Sequence, residues 1–137
     1  MATEGIRLET RLVRRDVRGA DAALETAQQL LLDTEPPSAF FCSQNLLTIG
    51  VVRALQRVGA QRQIALIGFD DFPLADLLDP PVSVIAQDPA GIGHAAAARL
   101  FERLDGDESS ARHDSIATRL IPRGSGEIRA SSAADRC

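Results

Sequence analysis

The chain has 137 residues, which suits one domain or a piece of a larger one. Apolar residues make up 45% and charged residues 25%, the balance of an ordinary globular domain; with five Phe, no Trp and no Tyr, the core must come from Leu, Ile, Val and Ala. The net charge of −4 argues against a nucleic-acid-binding surface, which needs clustered cations, and no stretch approaches the ~20 consecutive apolar residues of a membrane span.

Arg11 to Arg15 reads as a short strand around Leu12 and Val13, broken by Arg18-Gly19. Ala20, Ala23, Leu24, Ala27 and Leu31 then recur at helical spacing. Asp21 suits the positive end of that helix, and Pro36-Pro37 close it. The apolar run Ala39 to Cys42 predicts a buried strand, and a second helix comes next over about Leu46 to Val58, with Gly59 just past its end. Ile64-Ala65-Leu66-Ile67 lacks alternation, as a strand covered on both faces does. Gly68 and the pair Asp70-Asp71 end it. Phe72 to Leu78 reads as a short helix stopped by Asp79-Pro80-Pro81, and Val82 to Ile85 as another strand.

Asp88-Pro89 is a helix start, with Asp as cap and Pro in the first turn. The helix runs to about Leu104, with Ile92, Ala96, Leu100 and Leu104 on one stripe. Ile116, Thr118 and Leu120 alternate in a last strand cut by Pro122, and residues 124–137 read as a polar, disordered tail. Strand and helix alternate through most of the chain. The order predicts an α/β fold of three αβα layers around a mainly parallel sheet.

Ligands of open parallel sheets bind beyond the carboxyl ends of the strands. Ser43-Gln44-Asn45, Asp70-Asp71 and Gln87 all stand at such ends. Amide and carboxylate side chains offer the paired donors and acceptors that sugar hydroxyls or a base edge require. The same residue types also favour plain local roles: Ser43 or Asn45 as the cap of the second helix, Asp70 or Asp71 as turn residues. The second helix carries two apolar stripes, one of Leu47, Val51, Ala54, Leu55 and Val58, the other of Leu46, Ile49 and Val52. One sheet face needs only one stripe. The second stripe, with the apolar segment Phe72 to Leu78, points either to a dimer surface or to burial between layers.

Several chemistries lack their residues. The dinucleotide, P-loop and GxSxG patterns are missing. His94 and His113 have no partners at metal-ligand spacing, so neither a metal nor a cofactor is expected. Asp70-Asp71 as an acid–base pair would have no nucleophile, so the enzyme reading is unsupported. Cys42 and Cys137 form no CxxC pair, and Met1 to Thr10 holds no apolar stretch of signal-peptide length. A cytoplasmic location is therefore the expectation.

Three ordered motifs carry a resemblance. Phe40-Phe41-Cys42-Ser43-Gln44-Asn45 with the apolar run to Gly50, Ile67-Gly68-Phe69-Asp70-Asp71, and Pro80-Pro81-Val82-Ser83-Val84-Ile85-Ala86-Gln87 resemble segments of the LacI/GalR family of transcription regulators. The Ala90 to Leu104 helix and the strand ending Arg123-Gly124-Ser125 are similar to the next helix and the last strand of that family. The resemblance implies an incomplete periplasmic-binding-protein-like type I domain. Residues 6–123 would form the C-terminal effector-binding and dimerisation lobe, with helix 89–104 belonging to the N-terminal lobe. It implies that Gln44, Asn45, Asp70 and Gln87 touch a sugar-like or nucleobase-like effector. Leu46, Ile49, Val52, Leu74 and Leu78 would lie at a homodimer interface. Operator DNA would be reached only through an N-terminal helix-turn-helix that this sequence does not contain. The family's Asn-Asp pair is Gln44-Asn45 here, so one carboxylate is replaced by an amide. A transport solute-binding protein shares the fold, but no signal peptide supports that alternative.

Overall fold

The computed structural model describes residues 9–129. Its regular elements are α1 (Gly19–Leu31), β1 (Ala39–Cys42), α2 (Asn45–Arg57), β2 (Ala65–Phe69), β3 (Ser83–Ala86), α3 (Pro89–Leu104) and β4 (Arg119–Ile121). The strands form one sheet in the order β1-β2-β3-β4. β1, β2 and β3 run parallel, and β4 is antiparallel to β3. The class is the expected one: α/β with a mainly parallel sheet.

Register assigns the two sheet faces. Phe40, Leu66 and Val84 share one face with Cys42 and Gly68. Val84 and Leu66 are buried there in the core with Leu24, Ala27, Val51, Ala54 and Leu55. α2 lies on this face, and α1 packs on α2 at Gly50. Phe41, Ile67 and Ser83 lie on the other face, as do Ile85 and Leu120. Phe41 and Leu120 are exposed there, while Gly126 approaches Ile67 and Ser83.

Four local expectations are corrected. Arg11 to Arg15 is not a strand: Thr10–Leu12 is a 3-10 turn. The first strand of the sheet is β1, so this segment has no neighbour to complete a ladder, and strand propensity alone does not hold a strand. Phe72 to Leu78 is a run of turns rather than a helix. Leu74 sits at φ 70, in the left-handed region, which ends helical geometry at once. The tail read from Gly124 onward begins as built structure. Ser125–Glu127 forms a 3-10 turn and Ser125 is buried. Residues 130–137, the rest of that tail, lie outside the described residues, as do residues 1–8. The last strand also starts later than read, at Arg119, leaving Ile116 and Thr118 outside it.

Candidate functional site

The polar residues singled out in the sequence come just after the carboxyl ends of three adjacent parallel strands. Cys42 pairs with Gly68, and Phe69 with Ile85. Asn45 is three residues past Cys42, Asp70 two past Gly68, and Gln87 two past Ile85. All three therefore stand on one rim of the sheet.

At the first strand end the chain turns directly into α2. Gln44 is the cap residue, in extended conformation, and its side chain makes no capping bond. Thr48 closes the first turn: its N–H and its Oγ1 both donate to Gln44 O, each at 3.0 Å. Thr48 is fully buried against Gly68 of β2. Asn45 is the first helical residue rather than the cap. The capping alternative for Ser43 and Asn45 therefore falls away, and Ser43 and Gln44 are exposed on the rim.

The two aspartates part ways. Asp71 takes the structural role: its Oδ1 accepts the Phe72 N–H at 3.0 Å, and both its oxygens accept from the Arg123 guanidinium at 2.7 Å. The Arg123 bond holds its carboxyl below the usual carboxylate range; burial opposes it, and the Phe72 bond and the charges of Arg123 and Arg119 add to the lowering. Asp70 sits at φ 70 with its N–H donating to Ile85 O at 3.0 Å. Its Oδ1 accepts from Gln87 Nε2. So the structure joins Asp70 to Gln87 directly. An open cleft lined by Ala86, Gln87, Asp88, Ala117 and Arg119 continues from Gln87.

Sequence reading missed the contacts that tie the last described turn to the sheet. Ser83 Oγ accepts the N–H groups of Arg123 (2.9 Å) and Gly126 (3.2 Å) and donates to Glu127 Oε2 at 3.1 Å. Ser125 Oγ accepts Ser83 N–H at 2.9 Å and donates to Leu66 O at 2.6 Å, bridging β2 and β3 with a side chain. The Arg-x-Ser ending was the only sequence signal for either. Among the described residues, no group of His, Cys, Asp and Glu could hold a metal ion, and no helix is long and apolar enough to cross a membrane.

The proposed dimer residues divide by exposure. Leu46 is 51% exposed and Leu74 64%, and Ile49 is half-buried. Val52 and Leu78 pack partly against this chain's own core.

A parallel sheet with a polar rim at its strand ends defines a ligand-binding α/β domain. Residues 1–126 match the family described as "Periplasmic binding protein-like domain". The chain is 30% identical over 123 residues to the HTH-type transcriptional repressor CytR of Escherichia coli K12, covering 88% of this chain and 36% of that protein. It is 33% identical over 107 residues to the lactose operon repressor of Rhizobium radiobacter, covering 77% of this chain and 94% of that sequence. A solved LacI family regulator from Arthrobacter sp. FB24, in complex with lactose, superposes with a TM-score of 0.70 at 31% identity, over 80% of this chain and 42% of that one. The chain belongs to the LacI/GalR family, as a part of its periplasmic-binding-protein-like effector domain. It spans about a third of the length of the CytR repressor.

Proposed function

We propose that this chain is the effector-sensing part of a LacI-type transcription regulator and that its rim binds a sugar. The observation that carries the reading is the meeting of Asp70 and Gln87 at neighbouring strand ends, with Asn45 on the same rim. A carboxylate and amides present acceptors and donors side by side, which matches vicinal hydroxyls. Lactose in the Arthrobacter relative favours a sugar over a nucleobase. Asp70 is paired with Gln87 and Asp71 is occupied by Arg123; binding, not turnover, is the chemistry this site suits. The regulator would act in the cytoplasm, as a homodimer through Leu46, Ile49, Val52, Leu74 and Leu78. It would reach operator DNA through a helix-turn-helix outside this sequence. Effector binding would shift lobe positions and so DNA affinity, by differential affinity for two states.

Titration of the ¹⁵N-labelled chain with lactose, sucrose and cytidine, monitored by amide shifts, tests the site. A saccharide is expected to move the Asn45, Asp70 and Gln87 resonances together. Asp70→Ala is expected to weaken that response about tenfold or more, since polar groups left without a partner are costly. Saccharides that leave the rim resonances still, or a response centred elsewhere, would overturn the reading.

A further inference from the structure

Arg123 lies outside the rim yet is tied to it by more bonds than a surface cation needs. Its guanidinium meets Asp71 as a two-pronged fork, NH1 to Oδ1 and NH2 to Oδ2, each at 2.7 Å. NH1 also donates to Val82 O at 3.2 Å, and its main-chain N–H donates to Ser83 Oγ at 2.9 Å. The side chain is only 18% exposed. These bonds join the residue after Asp70 to Arg123, 52 residues away in sequence, and through it to the start of β3. They close the neck of the 72–81 loop.

Asp70 gains from such a hold. Its φ of 70 lies in the left-handed region, which Asp adopts more readily than most residues with a Cβ but which is still less favourable than right-handed or extended backbone. On one side the β2 ladder and the bond to Ile85 O fix it. On the other side comes Asp71, whose carboxylate is fixed by Arg123 and by the Phe72 N–H. The peptide between the two aspartates is therefore held at both ends. An exposed ion pair ordinarily contributes little. A planar fork with both carboxylate oxygens engaged and a backbone carbonyl besides is geometrically specific. Arg119 and Asp76 are the other charged groups near this pair.

We propose that Arg123 is a positioning residue for the effector rim: by clasping Asp71 it holds Asp70 in the left-handed conformation that brings its carboxylate to Gln87. The proposal rests on the reading of that rim as the effector site. It predicts that the clasp stiffens the rim locally without carrying the core.

The test uses the whole ¹⁵N-labelled chain and the variants Arg123→Gln and Arg123→Lys. Amide exchange at Asp70 reports the rim, and exchange at Leu55 in α2 reports global opening. In Arg123→Gln, Asp70 exchange is expected to speed up about tenfold, with Leu55 unchanged and lactose affinity reduced in parallel. Arg123→Lys, a charge without the fork, is expected to recover part of the protection. Asp71→Asn gives the same reading if Arg123→Gln fails to fold. Unchanged Asp70 exchange, or equal acceleration at Asp70 and Leu55 in every variant, would overturn the clasp. Should lactose leave the wild-type rim untouched, the effector reading falls alone, and the exchange comparison still decides the clasp.

Discussion

At Gly50 the interior of α2 has no room for even a methyl group. A Cβ there would lie 2.6 Å from Ala23 Cβ and 2.9 Å from Leu24 N, and would meet Ala20 O as well. Two of these neighbours are backbone atoms, which do not swing aside. Helix propensity favours Ala over Gly by about 1 kcal/mol, whereas forcing atoms into a packed contact costs about 1–3 kcal/mol. Here the clash wins, because relief requires α1 to move off α2. Gly50→Ala is expected to lower stability by about 1–2 kcal/mol, read as a lower urea midpoint; a midpoint equal to or above that of the parent would show that α1 is free to shift. Cys42 makes a second prediction at this scale. Burial pushes its thiol up to about 12, against a small lowering by the Thr48 hydroxyl. A folded pKa raised above the unfolded one gives stability that is complete below the unfolded value and declines as pH rises through it. The chain should therefore lose stability above pH ~9 at up to about 1.4 kcal/mol per pH unit from this one group. Chemical denaturation at pH 8, 9 and 10 of Cys42→Ala against the parent, both carrying Cys137→Ser, checks the slope; identical slopes would refute it.

Among the elements, helices were the most legible in the sequence. The α1 and α2 patterns gave spans within a residue or so of those observed, and Asp88-Pro89 marked the start of α3. Periodicity and caps are local signals, and these helices obey them. The central strands were legible too, because β2 and β3 are covered segments with turn residues at both ends. What failed was non-local. Leu12 and Val13 have strand character, but a strand exists only where a neighbour supplies the ladder. Leu74 adopts a left-handed backbone that its residue type does not announce. Ser125 and Glu127 fell in the segment read as a polar tail, and only the fold brings that last described turn under β3 and onto Ser83. The candidate rim was legible for the opposite reason: a parallel sheet sends every strand end to one side, so order along the chain was enough to gather Asn45, Asp70 and Gln87. The status of α3 was only half legible. Its cap is formed as read, Asp88 Oδ1 accepting Gly91 N–H at 2.9 Å, yet none of its residues is buried. A helix without tertiary support depends on its ends. Asp88→Ala is expected to cost α3 about 1 kcal/mol, seen as faster amide exchange throughout Pro89–Leu104 while the urea midpoint of the core stays put. A drop in that midpoint would mean that α3 is coupled to the core after all.

The molecule as a whole presents more apolar surface than its single core uses, and the surplus falls in separate places. One is α3, where Leu100, Phe101 and Leu104 are all exposed. Another is the sheet face bearing Phe41 and Leu120. The third lies on α2 and the turns after β2: Val52 and Leu78 line a common groove, Leu46 on α2 is exposed and Ile49 half-buried, and Leu74 and Leu77 are exposed in the 72–80 segment. Contiguous apolar patches on a soluble domain mark interaction surfaces. The α2 patch is built by a helix and a turn segment that both pack against the chain's own core, which gives it the rigidity that a self-complementary two-fold contact rewards. An isologous dimer through this patch brings each residue close to its copy or to a neighbour of it, so one added carboxylate per chain is repeated twice in the interface. The proposed homodimer through this patch predicts that Leu46→Asp and Leu74→Asp together shift the chain from dimer to monomer in sedimentation at micromolar concentration, with Phe101→Asp leaving the distribution unchanged. A dimer that survives the first pair and dissolves with Phe101→Asp would transfer the interface to α3 and leave the α2 patch as ordinary surface.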